Sequence, residues 1–251
     1  MMIKLGAFEF HLYGLMVGLG VWLGAWTAEK IRNKFKNNYK FLSKIDIWDN
    51  LVWIVGMGII GARIYHVIDF WGYYKNHLVE VPQVWLGGLG IYGGIIGGII
   101  GARLATKEKQ RFLGLLDLGG VGLPLGQAIG RWGNWFNQEL YGKPTDLPWG
   151  IYIEPEKRLL SVIEKEYFHP LFFYESLWCL VSFLLIIKTI NCWKIGQGRV
   201  ISLYLGLYGF GRLVLEFWRI DSWTVNGVNV AQAISTGLIV ISATYLWYSR
   251  K

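Results

Sequence analysis

The reading of the fold turns on two overlapping stretches, LLDLGGVGLPLGQAIG at residues 115–130 and GRWGNWFNQELYG at residues 130–142. The first is almost wholly apolar. The second crowds an arginine, two asparagines, a glutamine and a glutamate among tryptophans and a phenylalanine. An apolar run closed by a polar, tryptophan-rich cluster reads as a hydrophobic span meeting a membrane–water interface, where tryptophan concentrates.

The rest of the chain supports that reading. Of 251 residues, 53% are hydrophobic and only 17% charged, and the mean hydropathy is +0.35. Soluble domains carry about 25% charged residues. The 33 glycines, 14 tryptophans and 14 tyrosines fit a helical membrane protein, in which glycine and interfacial aromatics are enriched. A net charge of +8 raises nucleic acid as a partner, but the basic residues sit in short loops between apolar runs. That pattern sets orientation, so no nucleic-acid partner is expected. Cys179 and Cys192 bracket a predicted helix. Helical rise separates them by roughly 20 Å, beyond disulfide reach.

Crossing a hydrocarbon core of about 30 Å takes roughly 17–25 apolar residues. Runs of that kind fall near 11–28, 48–71, 85–105, 112–130, 171–190, 200–218 and 230–248. The fold class is therefore an all-α polytopic membrane protein of about seven transmembrane helices, with 1–251 forming one integral membrane domain. Residues 131–170 are expected as a small extracytoplasmic head segment between spans four and five, irregular to about Trp149 and folded beyond it. Fourteen basic residues gather on one side, including six in EKIRNKFKNNYKFLSK at 29–44 and the terminal Arg250 and Lys251; the other side holds eight, five of them in 131–170. The positive-inside rule discounts long loops. The N-terminus is therefore expected outside and the C-terminus in the cytoplasm. Glycines spaced by four, such as Gly20/Gly24, Gly93/Gly97, Gly97/Gly101 and Gly122/Gly126, let helix backbones touch in lipid.

Polar and ionisable groups inside or at the ends of spans are costly and tend to be functional. With this topology nearly all of them fall toward the outer leaflet: His11, Arg63, Tyr65, His66, Asp69, Tyr92, Arg131, Asn134, Asn137, Glu139, His169, Tyr174, Glu175, Tyr208, Arg212, Glu216 and Arg219. Tyr208, Arg212 and Glu216 follow one another at i, i+4 and i+8, hence on one helix face. Arg131, Arg212 and Arg63 together carry more positive charge than the local carboxylates need. Guanidinium forks suit phosphate, so an anionic phospholipid headgroup is the expected guest. Lone intramembrane histidines such as His11 and His66 are more often packing residues than catalysts. No metal-ligand spacing, P-loop or nucleophile elbow occurs, and no cofactor or metal is expected. The rival class is a transporter or flippase for an anionic lipid, but no repeat relates the two halves.

GRWGNWFNQELYG resembles the signature of the prolipoprotein diacylglyceryl transferases, roughly G-R-x-G-N-F-x-N-x-E-x-x-G, departing at Trp135 where phenylalanine is common. HLYG at 11–14, GARIYH at 61–66, HPLFFYE at 169–175 and YGFGRLVLEFWR at 208–219 resemble further stretches of that family in the same order. The resemblance extends from about residue 10 to 219. It implies transfer of a diacylglyceryl group from phosphatidylglycerol to the lipobox cysteine thiol of a prolipoprotein, the first step of bacterial lipoprotein maturation. A thioether forms and glycerol phosphate leaves. The implied setting is the bacterial cell membrane, with the site toward the outer leaflet, and partners limited to phosphatidylglycerol, the lipobox peptide and membrane lipids. We expect a monomer.

Carried over by motif, Arg131, Asn134 and Glu139 match the signature positions, and Tyr13, Tyr208, Arg212 and Glu216 match other functional positions. The expected roles follow. Arg131 and Arg212 hold the phosphate, Asn134 and Glu139 orient the headgroup or Arg131, and Glu216 positions Arg212. Tyr13, Tyr208, Asn137 and Arg63 complete the expected binding set. One position departs: many members carry histidine, suggested as the base for the thiol, where GGLGIYGG at 87–94 carries Tyr92. A phenol ordinarily titrates near 10, so the reading here is that an arginine field acts together with Tyr92 to make the thiolate.

Overall fold

The computed structural model describes residues 2–5 and 8–249, with side chains from 11 to 249. Arg250 and Lys251, used in the orientation count, lie outside them. Eight α-helices occur among the described residues: α1 (Leu12–Phe35), α2 (Ile47–Asp69), α3 (Trp71–Tyr74), α4 (Ile91–Thr106), α5 (Lys109–Asn137), α6 (Leu171–Thr189), α7 (Arg199–Leu215) and α8 (Val230–Tyr248). Three small antiparallel pairs accompany them: β1 (Met2–Leu5) with β2 (Phe8–His11), β3 (Ile151–Tyr152) with β4 (Tyr167–Phe168), and β5 (Thr224–Val225) with β6 (Val228–Asn229).

Each apolar run contains one long helix. Five stretches, Ile47–Asp69, Lys109–Asn137, Leu171–Cys192, Arg199–Trp218 and Val230–Tyr248, are long and apolar enough to cross a membrane. The protein is thus a helical, multi-pass membrane protein. α4 is apolar but has only 16 residues, about 24 Å of rise. The run expected from 85 becomes helical only at Ile91. Before it, Gly87 and Gly88 take φ of 86° and 70°, a left-handed backbone that ends helical geometry and suits glycine. The opposite shift occurs at α5. It passes Pro124 and continues through Asn137, so the segment between α5 and α6 begins at Gln138 rather than at 131.

The described chain divides into two compact units. One comprises residues up to Ala28, Asp117–Lys194 and the chain from Gly198. Within it, α1 and α5 cross with their glycines face to face. A β-carbon on Gly20 would stand 2.5 Å from the Gly126 carbonyl oxygen, and one on Gly24 2.8 Å from that of Gly122. Small-residue faces of this kind let helices associate in lipid, where no hydrophobic force separates helix from tail. Asp117, an isolated carboxylate in the sequence, is buried and accepts from the backbone N–H groups of Gly198 (3.0 Å), Val200 (3.0 Å) and Ile201 (3.2 Å). It therefore satisfies the otherwise orphaned donors at the start of α7. α6 is fixed to its neighbours by Ser176, donating to the Ala128 carbonyl (2.7 Å), and Trp178, donating to that of Leu207 (2.8 Å).

The other unit comprises Glu29–Leu116 and Ile195–Gln197. Asp46 caps α2 by accepting from the N–H groups of Trp48 (2.9 Å) and Asp49 (3.1 Å), as expected of an N-cap carboxylate. α4 then lies against α2 along Gly93, Gly97 and Gly101. β-carbons there would overlap the carbonyl oxygens of Gly61, Met57 and Trp53 in turn.

Candidate active site

The site grows from the last turns of α5. Trp132 packs edge-on against Phe172 (ring centroids 5.8 Å) and Phe173 (6.1 Å), and Trp135 packs against Phe172 at 5.4 Å. These contacts fasten the end of α5 to the start of α6 and explain why the helix outlasts its apolar run. They leave Arg131 and Asn134, three residues apart, on a different part of the helix surface.

Arg131 meets Glu175 on the second turn of α6, Nε to Oε2 at 2.7 Å. The other oxygen of Glu175 faces Arg212 at 3.6 Å and Arg219 at 4.0 Å. Arg212, on α7, pairs with Glu216 one turn on at 2.9 Å, and Arg219 stands 3.9 Å from the same carboxylate oxygen. The remaining oxygen of Glu216 accepts from Ser222 (2.7 Å) and from the Asn229 amide (3.1 Å). Asn229 is placed by local chemistry. The β5–β6 turn is Asn226–Gly227, with φ of 50° and 79°, the left-handed pair that a tight hairpin prefers. The Asn229 oxygen in turn caps α8 through the Gln232 N–H (3.0 Å).

Three guanidiniums thus surround two carboxylates. The carboxylates lie at the back, their side chains 9% and 1% exposed. The Arg131, Arg212 and Arg219 side chains are 32%, 22% and 27% exposed. Burying both carboxylates would be costly unless they were paired. The pairing uses only part of the five donors that each guanidinium carries, so the exposed face of the cluster is cationic with donors to spare. Burial, and after it the nearby Arg212 guanidinium, pushes the pKa of Arg219 below its ordinary value. Desolvation disfavours the charged guanidinium, and Glu175 and Glu216 oppose the shift.

The signature polar residues stand beside this network. Glu139 accepts from the side-chain amides of Asn134 (2.9 Å) and Asn137 (3.4 Å); among the described residues it makes no ion pair. Tyr13, in the first turn of α1, packs on Gly133 of α5, where a β-carbon would stand 3.0 Å from its ring. Tyr208 packs on Tyr204, with centroids 6.2 Å apart, and the Tyr204 hydroxyl bonds Gln127 at 3.0 Å. Arg131, Asn134, Asn137, Glu139, Tyr13, Tyr208, Arg212 and Glu216 therefore all belong to one unit.

Two expected members belong to the other unit. Arg63 is buried and donates to the carbonyls of Val81 (2.8 Å), Gly87 (2.7 Å), Gly88 (3.2 Å) and Glu80. Its guanidinium thus straps the 80–88 loop to α2. Tyr92 is in the first turn of α4, exposed, with its ring 5.9 Å from that of Tyr65. Sequence reasoning left Glu175 and Arg219 without a role. Their partners are distant in the chain, so spacing alone could not pair them; the available signal was that each is a charge at the end of an apolar run. Among the described residues, no group of three or more His, Cys, Asp or Glu could hold a metal.

The sequence matches the family described as prolipoprotein diacylglyceryl transferase over residues 1–248. It is similar to curated proteins named phosphatidylglycerol–prolipoprotein diacylglyceryl transferase. That of Fervidobacterium nodosum is 42% identical over 206 residues, covering 81% of this chain and 70% of the relative. That of Nostoc sp. is 38% identical over 258 residues, covering 100% and 89%. That of Finegoldia magna is 41% identical over 200 residues, covering 79% and 77%.

Proposed function

The chain belongs to the prolipoprotein diacylglyceryl transferase family, and we propose that its Arg131–Glu175–Arg212–Glu216–Arg219 network drives the transfer step. The protein is a transferase that moves a diacylglyceryl group from phosphatidylglycerol to prolipoprotein in lipoprotein maturation. Family membership does not favour the lipid-transport alternative.

The observation that carries the mechanism is the cationic face of three arginines over two buried carboxylates. The acceptor is the thiol of the lipobox cysteine. Its sulfur forms a bond to the glyceryl carbon of phosphatidylglycerol, and the bond from that carbon to the phosphate oxygen breaks. The electron pair leaves on the phosphate, so negative charge grows there. Arg131 and Arg212 hold the phosphate and stabilise that charge without reorganising. Glu175 and Glu216 orient the guanidiniums from behind. Asn134, Asn137 and Glu139 orient the headgroup, and Tyr13 and Tyr208 flank the arginine face. The thiol has an ordinary pKa near 8.5 and must lose its proton; a positive field favours the thiolate, and Tyr92 assists the proton's departure.

The topology we infer has seven spans, with the N-terminus outside, the C-terminus in the cytoplasm and the site toward the outer leaflet. Its support is the basic bias of the short loops. The protein works as a monomer on phosphatidylglycerol and a lipobox peptide. Reconstitution with both substrates, read by mass spectrometry of the peptide, tests the proposal. Wild-type protein is expected to add one diacylglyceryl mass. Equal activity in Arg131→Ala and Arg212→Ala variants would remove the network from the mechanism.

A further inference from the structure

The three helices that build the network each carry a second polar side chain one turn further into their span. On α5 Gln127 precedes Arg131 by four residues, on α6 Cys179 follows Glu175 by four, and on α7 Tyr208 precedes Arg212 by four and Tyr204 by eight. Four residues move about 6 Å along one helix face. These side chains meet. The hydroxyl of Tyr204, a buried residue, donates to Gln127 Oε1 at 3.0 Å, and the Cys179 thiol approaches the same oxygen at 3.8 Å. The Tyr204 and Tyr208 rings lie 6.2 Å apart. A polar layer therefore lies beneath the arginines, held by contacts among α5, α6 and α7.

Gln127 is the member of that layer with bonding capacity left. Its oxygen accepts twice, which fixes the amide so that Nε2 points the other way. Nε2 carries two N–H donors, and neither has a partner among the described residues. Gln127 is half-buried, and Nε2 lies open rather than sealed within the bundle. An amide donor left unbonded inside an apolar span costs free energy until an acceptor reaches it. Charge is costly that far into a span, so the fitting acceptor is uncharged. It also sits about one turn below a phosphate held by Arg131. In a diacylglyceryl phospholipid the acceptors next to the phosphate on the chain side are the ester carbonyls, and past them there is only hydrocarbon.

We propose that Gln127 donates from Nε2 to an ester carbonyl of the donor lipid, and that Tyr204 is a positioning residue that aims the amide. This subsite rests on the transferase reading above and extends it from the phosphate to the acyl linkage. Arg131 and Arg212 on one side and Gln127 on the other then hold the lipid about the glyceryl carbon that the thiol attacks, which restricts its motion at the moment of displacement. The layer makes the ester linkage, as opposed to an ether, a recognised feature of the donor.

Phosphatidylglycerol in diester and dialkyl-ether forms of matched chain length tests this role, because the two differ only in the ester carbonyls. Full-length protein in mixed micelles turns over the diester with a lipobox peptide, and the diether is added as a competitor. The KM of the first is then compared with the inhibition constant of the second. A single neutral hydrogen bond changes affinity about fivefold, and wild type is expected to favour the diester by about that factor. Gln127→Met, close in volume but without the amide, erases the preference, chiefly by raising KM for the diester. Tyr204→Phe, which removes one oxygen and keeps the ring on Tyr208, reduces it in part and serves alone if Gln127→Met does not fold. No preference in wild type, or the same preference in wild type and both variants, would overturn the subsite while leaving the transferase reading intact. A raised KM for the peptide with lipid preference unchanged would assign Nε2 to the peptide and overturn it as well. Wild type that makes no thioether from the diester would instead contradict the transferase reading, and the subsite with it.

Discussion

Glu175 takes Arg131 on one oxygen and faces Arg212 and Arg219 with the other, so one carboxylate orders guanidiniums from three separate places in the chain. Replacing it with glutamine keeps its shape and removes its charge. Breaking a buried charge pair costs about 3–5 kcal/mol at its upper end, and Glu175→Gln is expected to lower both thermal stability in detergent and the transferase rate. Wild-type values of both would show that the arginines are ordered without it. Tyr92 is tested alone by Tyr92→Phe. A fall in rate that grows smaller as pH is raised toward the thiol's own pKa is expected if the phenol helps remove the thiol proton, and an unchanged rate at every pH takes it out of proton transfer. At this scale the sequence was informative where partners are local. The i, i+4 spacing of Arg212 and Glu216 is the pair the structure contains, and the Asn134, Asn137 and Glu139 cluster lies within six residues. Glu175 and Arg131 are 44 positions apart, and no local period encodes such a contact.

At the scale of the elements, the seven apolar runs each hold a helix because length and hydropathy are local properties that lipid enforces. Their ends are not. α5 is carried past its apolar run by Trp132 and Trp135 against α6, and α4 is shortened by the left-handed Gly87 and Gly88. Spacing by four marked the glycines of α1, α4 and α5 without saying what they face. For Gly20, Gly24, Gly93, Gly97, Gly101, Gly122 and Gly126 it is another helix's backbone, whereas a β-carbon on Gly14, Gly18 or Gly130 would meet nothing within 4 Å. Gly93→Val would force α4 off α2 and is expected to abolish folded protein, seen as loss of the monodisperse peak in size-exclusion chromatography. Asp117 makes a subtler prediction. It serves three backbone donors at the start of α7, and an unsatisfied buried donor costs about 1–3 kcal/mol. Asp117→Ala is therefore expected to lower stability by several kcal/mol without changing headgroup preference among molecules that remain folded. A stability equal to wild type would mean water replaces the carboxylate.

At the scale of the whole molecule, charge does two jobs. In the proposed topology, arginines and lysines in the short loops set orientation, while the arginines retained beside the apolar spans are the ones proposed to face the substrate. Reporter fusions after Lys36 and after Lys157 are expected to fall on opposite sides, cytoplasmic and extracytoplasmic in turn; the reverse assignment would contradict the orientation. The chemistry tests the molecule as a whole most directly. Full-length protein is incubated with phosphatidylglycerol vesicles and a lipobox peptide, and the cysteine is followed by mass. The expected result is a diacylglyceryl thioether with wild type and a rate at least about 10²-fold lower, as for loss of a single preorganised donor, in Arg131→Ala and Arg212→Ala. Thioether formed at the wild-type rate by both folded variants would contradict the central role of the arginine network.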